Sequence, residues 1–265
     1  MATDLKVSPA AVRNFWNAHP VASEAVDAPL GSPEYFAKYD KLREVNEPIS
    51  FATGFHQYGA FAKKRVLEVG CGNAYTLLKY AGNGADVFGV DISESAIELS
   101  RKRFQLSELT GDFQVAAAES LPFDDDTFDL ICSMGVLHHA PDTAKAVGEI
   151  LRCLKPGGQF FGMVYNKNSI LYRLRFQALN LVRGISLQQS VNEVDGQGNP
   201  KGDVYTKSEL AHLLHAFEVD EMFAGLFQPW MSPFPAVSER LPEGAQSWLA
   251  RRAGWFLYFK ARAPK

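Results

Sequence analysis

The sequence predicts an α/β fold: a doubly wound, mostly parallel seven-stranded sheet, with an N-terminal helical cover and insertions after strand five. Three observations carry that prediction. From residue 65 onward, apolar runs bounded by turn signals alternate with segments of helical period, the pattern of a parallel sheet covered by helices. The first of these runs enters a glycine turn that opens a helix. The chain has 265 residues, 46% hydrophobic and 22% charged, enough to bury one large core with additions.

The elements follow in order. Strand one is Arg65 to Val69, followed by a helix through Leu77, Leu78 and Tyr80 that the AGNG run at Ala81 to Gly84 stops. Strand two, Asp86 to Val90, ends at Asp91, and Ser93 caps a helix with Ile97, Leu99, Phe104 and Leu106 on its apolar face. Strand three is Phe113 to Ala117. Strand four, Phe128 to Ser133, has the composition of a strand buried on both faces. Asp142 or Thr143 caps the next helix, Pro156-Gly157-Gly158 ends it, and strand five runs from Gln159 to Tyr165. Ser169 to Arg183 reads as helical, whereas Gln188 to Asp203 is polar and rich in Gly and Asn, and reads as a flexible loop. Thr206 and Glu209 have capping-box spacing, and Phe217 to Phe227 and Trp255 to Ala263 are the last two strands. Ser8-Pro9 begins a helix carrying Val12, Phe15 and Trp16. The expected organisation is therefore a cover over residues 1–60 and a main domain over 61–265, with a lid-like insertion at about 166–205.

Composition excludes several function classes. Lys+Arg 27 against Asp+Glu 30 leaves a net charge of -3, and no basic block is present to track a phosphate backbone, so no nucleic-acid partner is expected. The longest apolar stretches fall far short of the roughly 20 residues of a membrane-spanning helix, so no membrane partner is expected either. The N-terminus, MATDLKVSP, has no apolar h-region. Cys71, Cys132 and Cys153 are odd in number and widely spaced, which fits reduced thiols in a cytoplasm. There is no CxxC, and no metal cluster of histidines or cysteines is recognisable, so no metal is expected.

The segment Val66-Leu67-Glu68-Val69-Gly70-Cys71-Gly72-Asn73-Ala74 is a strand running into a tight turn, and glycine there lets backbone approach a ligand. Alone, such a turn serves equally well to pack a strand on a helix. Asp91, however, ends the next strand 19 residues after Gly72, where a carboxylate accepts hydrogen bonds from a ribose diol. A dinucleotide pattern would need a third small residue where Tyr75 stands, and Glu68 would repel pyrophosphate. A ligand carrying an ammonium group suits Glu68 better.

With the motifs VLEVGCGNA, VDIS, AAESLPF, FDLICSMGVLHH and LRCLKPGG in order over roughly residues 60 to 165, the sequence resembles class I S-adenosylmethionine-dependent methyltransferases of small-molecule type, which have a Rossmann-like sheet. The resemblance implies S-adenosylmethionine as cofactor, S-adenosylhomocysteine as product and a small-molecule acceptor methylated at O, N, S or C. It implies that Gly70, Cys71, Gly72 and Asn73 line the methionine part, beside Glu68. Asp91 would hold the ribose, Ile92 the adenine face, and Ala118 and Glu119 the adenine edge. Ser133 and Met134 would lie under the methionine moiety, and Arg43 would pair with its carboxylate or else be a solvated helix arginine. Ala74 departs from the family's frequent third glycine.

A sulfonium methyl is already activated, so the main task is to hold a nucleophile in line about 3 Å away in a dry site. His138, His139, Tyr165 and Asn166 lie at strand ends as candidate bases, with His139 and Tyr165 the catalytic candidates. Packing against the cofactor or the cover is the alternative role of each. Trp16, His19, Tyr35 and Tyr39 are candidates to close over the methyl donor. Strand four ends in Ser133-Met134-Gly135-Val136 and lacks the Asn/Asp-Pro-Pro-aromatic tetrad used on exocyclic amino groups of nucleic acids. A nucleotide-cofactor oxidoreductase and a non-catalytic cofactor-binding protein are the remaining alternatives.

Overall fold

The computed structural model describes residues 7–21, 23 and 25–265. The first six residues, where a secretory leader would begin, lie outside that set. Eight strands form one sheet: β1 (Arg65–Val69), β2 (Asp86–Asp91), β3 (Asp112–Val115), β4 (Phe128–Met134), β5 (Leu154–Asn166), β6 (Val204–Tyr205), β7 (Glu218–Gly225) and β8 (Phe256–Arg262). The order is β3-β2-β1-β4-β5-β8-β7, and β6 pairs with the end of β5. All pairings are parallel except those of β8 with β5 and β7. The seven expected strands are thus present, and two residues of β6 add an eighth.

Helices cover both faces: α1 (Pro9–Ala18), α2 (Pro33–Asn46), α3 (Ile49–His56), α4 (Tyr75–Gly82), α5 (Glu94–Leu106), α6 (Thr143–Cys153), α7 (Gln177–Arg183), α8 (Leu187–Asn192), α9 (Lys207–Leu213), α10 (Pro235–Ser238) and α11 (Glu243–Ala253). Several starts follow from local chemistry. The side chains of Ser8, Ser93 and Asp142 accept from backbone N–H groups three residues on, and Thr206 and Glu209 form a reciprocal capping box. Two apolar clusters lie on opposite faces of the sheet: one holds Leu67, Ile131, Phe160 and Phe259, the other Val66, Leu130, Phe161 and Tyr258. Successive strand residues alternate between them, as the period of two requires.

The structure departs from the sequence reading between residues 166 and 205. Leu171–Phe176 is a wide π-type turn leading into α7. The polar stretch expected to be a loop contains α8, begun by Ser186, whose hydroxyl accepts from Gln189 N–H, and anchored by fully buried Val191. One cap and one buried aliphatic side chain, packed with Tyr165, Leu171 and Trp255, suffice to order a segment whose composition is otherwise that of a loop.

Candidate functional site

Between β1 and β4 the chain leaves the sheet in opposite directions, and a crevice opens at the carboxyl ends of the strands. The turn after β1 forms its floor. Gly70 and Cys71 both donate backbone hydrogen bonds to Val90 O, at 2.7 and 3.0 Å, which folds the turn back over β2. Gly70 and Gly72 have φ of +76° and +55°. A Cβ on Gly72 would meet only the Val21 side chain, at 3.9 Å, so that face of the backbone is open to a ligand. Ala74, at the N-cap of α4, also has positive φ, +58°. The third glycine of the family motif thus has a conformational reason, and alanine here carries a strain of roughly 1–2 kcal/mol.

Asp91 closes the turn: Oδ2 accepts from Gly72 N at 3.0 Å and Oδ1 from Ser93 N at 2.9 Å. Burial raises its pKa, opposed by hydrogen bonds from the Ser93, Gly72 and Ile92 backbone. Glu68, at 3% exposure, is pushed up to about 8, chiefly by burial; Thr76, Arg43 and the Leu77 backbone pull the other way.

The cleft, about 1050 Å³ counted out to its open mouth, is lined by Glu68, Gly70, Cys71, Gly72, Asn73, Asp91, Ile92, Ala118, Glu119, Met134, His139 and Arg43 among others. From the N-terminal segment Val12, Trp16, Pro20, Val21 and Tyr39 close over it. Of the four candidate aromatic residues of the cover, Trp16 and Tyr39 reach the cleft. His19 instead stacks on Phe15, with ring centres 4.5 Å apart, and Tyr35 donates its hydroxyl to Val21 O at 2.8 Å.

Two expected residues, Ser133 and Tyr165, do not line the cleft. Ser133 is fully buried and donates to Val69 O at 3.2 Å, bridging β4 to β1 beneath the cleft rather than lining it. A residue one place earlier on a strand faces the other side of the sheet, which is why Met134 lines the cleft and Ser133 does not. Cys71 reaches the cleft, but its thiol lies 3.6 Å from Ser100 Oγ, and burial raises its pKa well above the ordinary range. Tyr165 is not in the cleft wall: its ring stacks on Trp255 at 4.4 Å, and its hydroxyl donates to Asp195 Oδ2. Asn166 is structural, donating to Gly254 O and accepting from Asn168 N. Arg43 bonds Glu47 at 2.5 Å while its Nε has no partner among the described residues.

At the rim, His139 Nδ1 lies 2.5 Å from Lys201 O, and Nε2 lies 3.0 Å from Asp195 Oδ2. Both ring nitrogens of His139 thus face protein oxygens. Asp195 and Lys201 were invisible to motif reading, because nothing local in a polar, glycine-rich stretch marks which acid will fold onto a histidine far away in sequence.

The donor set suits the adenosyl cofactor. Among the described residues the buried Asn73 amide has no partner on either atom, and neither has Glu68 Oε2; an ammonium group and a carboxylate would satisfy both. Asp91 keeps lone pairs for a diol beyond its two backbone bonds.

Comparison with known proteins agrees. Residues 67–162 match the family model described as a methyltransferase domain. The ubiquinone biosynthesis O-methyltransferase of Thiobacillus denitrificans is 37% identical over 114 residues, 43% of this chain and 49% of that protein. That of Aromatoleum aromaticum is 36% identical over 137 residues, 51% and 58% of the two chains. The chain thus spans about half the length of the curated relatives it matches. In fold, it matches a chain of the complex between the Haloferax volcanii Trm112 methyltransferase activator and a methyltransferase (TM-score 0.61, 20% identity, 96% of this chain and 98% of that one). It also matches a SAM-dependent methyltransferase from Methanosarcina mazei (TM-score 0.58, 22% identity, 79% and 96%). Residues 67–162 thus carry a methyltransferase domain, set in a fold shared with S-adenosylmethionine-dependent methyltransferases of known structure.

Proposed function

We propose that the chain binds S-adenosylmethionine in the cleft between β1 and β4 and transfers its methyl group to a small-molecule acceptor, a hydroxyl oxygen being favoured by the names of the relatives. The observation that carries this reading is the convergence of Glu68, Asn73 and Asp91 on one cleft floored by the glycine turn and roofed by Trp16 and Tyr39. When bound, S-adenosylmethionine supplies a methyl group already activated on a positively charged sulfur. In this reading Glu68 and Asn73 hold the amino-acid end, Asp91 the ribose, Ile92 and Ala118 the adenine, and the 1–60 segment is the cover that excludes water. His139 orients the acceptor at the rim, and Tyr165 acts behind it through Asp195. No helix of the described residues is long and apolar enough to cross a membrane, and a cytoplasmic location fits the unpaired cysteines.

The direct test is thermal unfolding with S-adenosylhomocysteine. At about 100 times its dissociation constant the ligand stabilises the fold by about 2.7 kcal/mol. No shift at saturating ligand would remove the proposal.

Glu68 gives a pH signature. Its folded pKa is raised to about 8, so its neutral form contributes stability that is complete below the ordinary carboxylate range and lost as pH rises through about 8. A bound ammonium group favours the carboxylate, so binding releases a proton. Affinity for S-adenosylhomocysteine then rises by up to about tenfold per pH unit between roughly pH 6 and 8 and levels off above. Calorimetry in two buffers of different ionisation enthalpy reads the released proton, and Glu68→Gln abolishes it. Equal heats in both buffers for the unsubstituted protein would contradict this placement of the ammonium group.

A further inference from the structure

His138, His139 and Asp195 come together at the rim of the cleft, each offering one ligand atom within 4.8 Å of the others. His139 and His138 follow β4, whereas Asp195 comes from the insertion after β5. The hydrogen bonds here leave a position that calls for a cation. Lys201 O can only accept, so at 2.5 Å His139 Nδ1 carries the hydrogen. The Nε2 lone pair of that neutral tautomer then points at Asp195 Oδ2, 3.0 Å away, itself an acceptor already engaged by the Tyr165 hydroxyl. Two lone pairs in that relation need a proton or a metal ion between them.

His138 favours the metal ion. Its ring is fully buried, and neither nitrogen has a hydrogen-bond partner among the described residues. An unsatisfied buried polar group costs roughly 1–3 kcal/mol, and an extra proton on His139 would leave His138 as it is. One ion ligated by all three side chains satisfies both. Ligand bonds of about 2.0–2.2 Å put tetrahedral donor atoms roughly 3.3–3.6 Å apart, a separation that the 3.0 Å contact and the 4.8 Å limit bracket. The Nδ1 hydrogen bond to a backbone carbonyl is the outer contact that fixes the tautomer of a metal-ligating histidine.

We propose that His138, His139 and Asp195 form a binding site for a divalent transition-metal ion of the Zn²⁺ class. Two imidazoles and one carboxylate are a donor set that leaves a coordination position open. His139 lines the cleft, so an ion held by these three side chains would lie at its rim. Resting on the methyltransferase reading, the ion would hold an acceptor oxygen at the rim and tie the 187–203 segment to the sheet.

The test is calorimetric titration of chelator-treated protein with Zn²⁺, without any adenosyl ligand, so that it stands or falls separately from the proposed function. The unsubstituted protein takes up one Zn²⁺ per chain. Asp195→Asn and His138→Ala, each shown to be folded by circular dichroism, weaken uptake by more than the 10–100-fold that loss of an outer-shell partner costs. The Asp195 side chain is 31% exposed, so its amide variant keeps the question answerable should His138→Ala unfold. His212 and His215 form an exposed pair elsewhere, and replacing both with alanine leaves the one-to-one uptake intact. Absence of Zn²⁺ uptake, or uptake that survives Asp195→Asn unchanged, overturns the proposal.

Discussion

Gly70→Ala is expected to lower the unfolding free energy by about 2–5 kcal/mol, a large fraction of a typical domain's stability. Two costs add. The φ of +76° puts an alanine in the left-handed region at roughly 1–2 kcal/mol. The new methyl would also sit 2.2 and 2.5 Å from the two Val136 methyl carbons, an overpacking that costs typically 1–3 kcal/mol. Val136→Ala removes both methyls but leaves its own Cβ 2.8 Å away, so the double variant recovers only part of the loss. Urea unfolding of the four proteins measures the cycle. A single-variant cost below about 1 kcal/mol would mean that this turn does not hold Val136 against Gly70.

Asp91→Ala is expected to weaken S-adenosylhomocysteine binding by about 1.5–3 kcal/mol, roughly 10–150-fold, the scale of hydrogen bonds to a charged group. The carboxylate does two jobs. It bonds Gly72 N and Ser93 N and so fixes the turn, and it has lone pairs left for the ribose. Asp91→Asn retains one acceptor oxygen and loses the charge, so its effect falls between those of the parent and the alanine variant. The measurement is calorimetric titration at constant pH, with unfolding curves to separate lost turn stability from lost ligand contact. Unchanged affinity in a folded Asp91→Ala protein would place the ribose elsewhere.

What could be read from the sequence was what local chemistry decides. The strands β1, β2 and β4, the caps at Ser8, Ser93, Asp142 and Thr206, and the turn from Gly70 to Asn73 depend on residues within a few positions of one another, and these lie close to their expected places, whereas α6 ends at Cys153 and β5 begins at Leu154, so that Pro156-Gly157-Gly158, expected to end the helix, lies within the strand. What could not be read depends on partners distant along the chain. The resemblance implies both Ser133 and Met134 under the methionine moiety, but the two-residue alternation of β4 brings only Met134 to the cleft wall. Tyr165 stands at a strand end as expected, and its hydroxyl is nevertheless taken by an acid on the insertion. The single buried valine that anchors α8 is unremarkable in sequence, since its value lies in the Trp255 and Leu171 surfaces that meet it. The position of β8 between β5 and β7 has no sequence signal, because its alternation is the same for an edge or a central strand.

That position has a consequence for the order of assembly during synthesis. β8 is hydrogen-bonded along both edges, to β5 over seven residue pairs from Gln159↔Arg262 to Tyr165↔Phe256 and to β7 on its other side. It is also the last of the eight strands to leave the ribosome. Until it emerges, β5 presents an open edge on that side, and β7 has no partner through which to join the sheet. The cleft between β1 and β4 is assembled from strands made much earlier, so its floor can form while the residues that β8 adds to both hydrophobic clusters are still missing. During that interval the unpaired β5 and β7 edges are the surfaces most exposed to wrong pairing with other chains, and closure of the sheet is a single late event in which one strand zips two seams together.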